Sequence, residues 1–134
     1  PSQAFYRENV YLEMGFDSVE DYIVKAWEDR FLGIDANDLL AMVATWQAGD
    51  ISANPLYQGS FEKALGSIKA RALVMPSRTD QYFPPEDSEI EVSLMPNAEL
   101  RIIPSIWGHL AGGPGRNPVD TQFLDEALKE LLTS

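Results

Sequence analysis

Arg71-Ala-Leu-Val-Met-Pro-Ser-Arg-Thr-Asp-Gln-Tyr-Phe-Pro-Pro85 carries a short apolar run, 72–75, that leads into a proline-closed loop holding Asp80. The run is too short, too apolar and too β-branched for an independent helix, so it predicts a buried strand. Pro84-Pro85 predicts the start of a helix, and Glu86, Asp87 and Glu89 in its first turns suit the macrodipole. Pro96-Asn97 closes that helix, and 100–103 is the second predicted strand. Residues 61–68 form a short predicted helix ahead of the first strand. Asn117-Pro118 opens a last helix, whose Val119, Phe123, Leu124, Ala127, Leu128 and Leu131 make one apolar stripe. The order αβαβα predicts an α/β fold: a parallel sheet with helices on its faces. Two strands do not make such a sheet stable alone. Further strands are expected from elsewhere.

Residues 4–47 read as helical. Ser18 or Asp17 can cap a segment with Val19, Tyr22, Ile23, Ala26 and Trp27 at helical spacing, and Gly33 breaks it. Asp35 or Asn37 then precedes Leu39, Leu40, Met42, Val43 and Trp46, a second amphipathic helix ending at Gly49. The segment is rich in aromatics (Phe5, Tyr6, Tyr11, Phe16, Tyr22, Trp27, Phe31, Trp46) and poor in β signal, so 1–50 is expected to be a helical lid or cap. The turn-rich stretch 50–60 marks the internal boundary, and 51–134 is expected to be the C-terminal part of an α/β core.

A chain of 134 residues with 45% hydrophobic content suits one globular domain. The absence of cysteine excludes disulfides, thiolate–metal sites and a cysteine nucleophile, and suits a cytoplasmic protein. The net charge of −11 argues against nucleic acid and anionic membrane as partners. No signal peptide or membrane-span pattern is present. The opening Pro-Ser-Gln lacks an initiator Met, so processing, proteolysis or a preceding segment is implied.

His109 is the chain's single histidine, in Ser-Ile-Trp-Gly-His-Leu-Ala-Gly-Gly (105–113), 29 residues after Asp80. Both residues fall in loops after consecutive predicted strands, where open parallel sheets gather their functional groups. Neighbouring strands lie about 5 Å apart, so the two loops can meet. A carboxylate and an imidazole so placed form the acid–base portion of a Ser–Asp–His relay. Gly108, Gly112, Gly113 and Gly115 allow tight turning around the histidine. The plainer alternative is a turn-forming Asp and a surface His. A metal site is disfavoured, since no two-His spacing or calcium loop exists. No serine occupies a Gly-x-Ser-x-Gly elbow, and Gly59-Ser60 and Gly66-Ser67 lack the strand–turn–helix setting.

Val19-Glu20-Asp21-Tyr22, Asp35-Ala36-Asn37-Asp38-Leu39-Leu40, Leu65-Gly66-Ser67-Ile68-Lys69-Ala70, Thr79-Asp80-Gln81-Tyr82-Phe83-Pro84-Pro85-Glu86 and Gly108-His109 together resemble the C-terminal half of the homoserine O-acetyltransferase family. That resemblance implies an α/β-hydrolase fold with a helical lid, Asp80 as catalytic acid and His109 as catalytic base. It also implies a serine nucleophile in an N-terminal half of the same protein, a small-molecule substrate and no cofactor, with acetyl-CoA as co-substrate; a homodimer is open to it. The implied reaction is acetyl transfer to a hydroxyl acceptor. In the family's transferases an acidic residue follows the histidine, whereas here Leu110-Ala111-Gly112-Gly113 follows. The alternatives are therefore an esterase, which uses water as acceptor, and a non-catalytic relative.

Overall fold

A computed structural model describes residues 1–113 and 116–133, so Pro114, Gly115 and Ser134 lie outside the described residues. Its elements run α1 (Gln3–Arg7), α2 (Val10–Glu13), α3 (Val19–Ile23), a π-helical turn (Val24–Glu28), α4 (Asp29–Leu32) and α5 (Ala36–Ala48). Then come α6 (Phe61–Gly66), β1 (Ala72–Val74), α7 (Pro85–Leu94), β2 (Ala98–Leu100), a 3-10 turn (Gly108–Leu110) and α8 (Pro118–Thr133). The αβαβα order from residue 61 is present. No helix among the described residues is long and apolar enough to cross a membrane.

The two strands pair in parallel, with Ala72 opposite Ala98, Leu73 opposite Glu99 and Val74 opposite Leu100. The second strand therefore begins two residues earlier than the predicted 100–103 and stops at Leu100. Pairing resumes at one bridge, Ser77 with Ile103. The cause is Pro76. Ala72 N donates to Asn97 O (3.0 Å) and Arg78 N to Ile103 O (3.0 Å), and the repeat between them calls for an N–H at position 76. Proline has none, so the ladder skips a rung. Both chains leave the sheet just beyond this gap, into the loops that hold Asp80 and His109.

The helix caps follow the sequence. Ser18 Oγ accepts from Asp21 N (3.0 Å) and Asp35 Oδ1 from Asn37 N (2.7 Å). Asn117 Oδ1 accepts from Val119 N (3.0 Å) at the head of α8. Such caps satisfy helix-end N–H groups that otherwise lack partners. The predicted helix 61–68 ends early, at Gly66, where Ser67 serves as its C-cap.

The main core is aromatic. Phe5, Val10, Tyr11 and Tyr22 from the first three helices bury themselves against Trp107. Phe5 meets Trp107 edge-on at 5.4 Å, and Tyr22 meets Phe16 edge-on at 5.0 Å. Edge-to-face pairs of this kind add about 0.5–1.5 kcal/mol each beyond burial. The N-terminal helices thus clamp the loop that carries the histidine. Ser2 strengthens the clamp: its Oγ accepts from Phe5 N (3.1 Å) and donates to Ile106 O (2.5 Å).

Helix α5 behaves otherwise. None of its residues is buried, and Leu40, Met42, Val43 and Trp46 all stand exposed. The predicted amphipathic helix is present, yet its apolar side chains are not buried against the rest of the described chain.

Candidate active site

The loop after β1 turns on Asp80. Its Oδ1 accepts from Tyr82 N (2.8 Å) and Phe83 N (3.2 Å), an Asx turn that fixes the carboxylate. The loop after β2 turns on Gly108, at φ +60°. A Cβ there would stand 2.7 Å from Ser2 N, so the position requires glycine for space as well as conformation. Gly112 also takes a positive φ, +71°.

The two loops meet. His109 Nδ1 lies 3.0 Å from Asp80 Oδ2. The Asp80 side chain is 8% exposed and that of His109 45%. A carboxylate only accepts, so the proton of a neutral ring belongs on Nδ1 and the lone pair on Nε2. Burial pushes the Asp80 carboxyl up. The His109 ring and the Tyr82 and Phe83 backbone N–H groups outweigh burial and hold the group below its ordinary value. Asp80 is therefore an anion at neutral pH, as the holder of an imidazole has to be.

Aromatic rings pack against the histidine. Tyr82 meets it edge-on at 4.9 Å, and Phe83 lies tilted to it at 5.4 Å. Trp46 of α5 reaches across to Phe83 at 5.7 Å. Two open cavities flank His109. One, of about 510 Å³, is lined by Pro1, Tyr6, Ile23, Trp27, Gln81 and Tyr82; the other, of about 430 Å³, by Trp46, Tyr82 and Phe83. Ile23 and Trp27 reach the first from either side of the start of the π-helical turn. Apart from His109, no Asp, Glu, Lys or Arg side chain among the described residues lines either cavity.

The sequence named Asp80 and His109, and the fold brings them together. It did not single out Thr79, Ser105 or Asp120, which hold the two loops. Thr79 Oγ1 donates to Ser105 O (2.9 Å) and accepts from Gly108 N (3.1 Å). Ser105 Oγ donates to the buried Asp120 Oδ2 (2.7 Å) and accepts from Trp107 N (3.1 Å). Hydroxyl residues next to a predicted site acid were the one available signal. Asp120 gave none, because it looks like any acidic residue in a first helical turn.

The chain is 38% identical to the ethyl acetate hydrolase of Pseudomonas veronii, over 99% of this chain and 37% of that protein. Its fold superposes on the solved acetyl esterase MekB with a TM-score of 0.90 and 38% identity, over 99% of this chain and 38% of the esterase. This chain resembles the acetyl esterases. A homoserine O-acetyltransferase of Chloroherpeton thalassium is more distant, 29% identical over 86% of this chain and 27% of the transferase. The chain thus spans well under half the length of the relatives it matches. No protein-family model matches it.

Proposed function

We propose that this chain supplies the acid and base of a serine-dependent ester hydrolase of the α/β-hydrolase fold, with the nucleophilic serine in an N-terminal part of the same protein. The observation that carries the proposal is the 3.0 Å contact between His109 Nδ1 and Asp80 Oδ2. Asp80 fixes the ring tautomer, and His109 Nε2 takes the serine proton as the oxygen attacks the ester carbonyl. The imidazolium formed is stabilised by Asp80 and returns the proton to the departing alcohol. Water then repeats the cycle on the acyl-serine: His109 removes its proton, and the acid is released as the serine is reprotonated. Helices in residues 1–50 serve as the lid over this site.

Hydrolysis has better support than acetyl transfer, the first expectation from the sequence. The esterase likeness is 38% identity and the transferase likeness 29%. Under the transfer reading, acetyl-CoA is the donor.

The full-length protein tests this directly. Turnover of a simple acetyl ester should exceed acetyl transfer from acetyl-CoA to homoserine. Asp80→Asn and His109→Ala should each lower kcat by about 10⁴-fold, the size of loss expected when such a relay is broken. Near-normal hydrolysis by either variant would sink the assignment.

A further inference from the structure

The Asp80–His109 contact joins two loops that leave the sheet separately, one from each strand. A contact of that kind holds its length only if something else ties the loops. Among the described residues, Thr79 is the one in the acid loop whose side chain bonds the histidine loop twice. Its hydroxyl donates to Ser105 O (2.9 Å) and accepts from Gly108 N (3.1 Å), the residues four and one before His109. The far end is anchored too, because Ser105 Oγ donates to Asp120 Oδ2 (2.7 Å), a carboxylate 3% exposed in the first turn of α8.

We propose that Thr79 is a positioning residue: its side-chain hydroxyl sets the register of the two loops and so holds the His109 ring at hydrogen-bonding distance from Asp80. This deepens the hydrolase reading of the same site and rests on it. Both hydrogen bonds need an atom that donates and accepts at once, which Ser retains and Val does not. Methyl for hydroxyl leaves the Gly108 N–H and the Ser105 carbonyl without partners in a partly buried place. The loops then drift, and a small misplacement at the reacting atoms is costly. The groups facing His109 are the Asp80 carboxylate, the Tyr82 phenol and, across the cavity, Tyr6 and the backbone nitrogen end of Pro1.

The test uses the full-length protein with Thr79→Val and Thr79→Ser. In Thr79→Val, kcat for a simple acetyl ester should fall roughly ten- to a hundredfold with KM little changed. Thr79→Ser should restore kcat. A second readout needs no turnover: the ring ¹⁵N shifts of histidine-labelled protein, with His109 assigned by difference from His109→Gln. The Nδ1–H tautomer should lose population in Thr79→Val and keep it in Thr79→Ser. A variant equal to wild type in kcat per folded molecule and in ring shifts overturns the proposal. Should Thr79→Val not fold, Thr79→Cys against Thr79→Ser decides instead, since the thiol is the weaker partner in both bonds. A deficit in Cys relative to Ser supports the role, and equality overturns it. If Asp80→Asn hydrolyses esters as wild type does, the hydrolase reading fails, and the ring shifts still decide whether Thr79 sets the contact.

Discussion

Phe5 and Tyr22 are 0% and 1% exposed, whereas Leu40, Met42 and Trp46 on α5 are 67%, 65% and 61% exposed. The two regions are made of the same kind of residue and lie in the same N-terminal series of helices. What separates them is a partner. Tyr22 has the rings of Phe5, Tyr6, Tyr11 and Phe16 within 5.0–6.4 Å, and Phe5 adds Trp107 from the histidine loop. Helix α5 reaches the rest of the chain's rings through Trp46 on Phe83. Apolar content creates a need for burial and does not say where that need is met.

The sharpest way to break the comparison is to cut into the packed side. Tyr22→Ala should cost about 3–5 kcal/mol, the range for truncating a buried ring, and appear as a large drop in urea midpoint. A loss under about 1 kcal/mol would mean the cluster is not a core. Gly108→Ala is the next largest. The left-handed conformation alone costs a non-glycine residue about 1–2 kcal/mol. The clash with Ser2 N at 2.7 Å adds to it, so both thermal stability and ester turnover should fall. The smallest effect belongs to α5. Leu40→Gln should change stability by no more than about 0.5 kcal/mol while the helix stays in water. A loss of about 2 kcal/mol or more there would show a covering surface over α5 and erase the contrast.

Much of the local structure was legible in the sequence. Ser18, Asp35 and Asn117 cap where their side chains predicted, because a cap is decided within three residues. Pro84-Pro85 opens α7 for the same reason. The second strand was placed two residues late, since its start depends on which residues of β1 it faces. Pro76 then breaks the ladder on the neighbouring strand, an effect that no reading of 98–103 alone contains. At the site, Asp80 and His109 were legible as an acid and a base after consecutive strands. Thr79, Ser105 and Asp120 were not, because their meaning lies in bonds spanning 15 to 29 residues.

The sequence by itself determined the αβαβα order, the caps and the presence of one carboxylate and one imidazole on neighbouring loops. These follow from backbone chemistry and short-range spacing, which act before the chain closes on itself. Tertiary structure alone decided that Asp80 and His109 meet at 3.0 Å, that Trp107 sits inside an aromatic core and that α5 does not. Those outcomes depend on packing and on hydrogen bonds between distant residues, whose energies exist only once the loops and helices have been brought together.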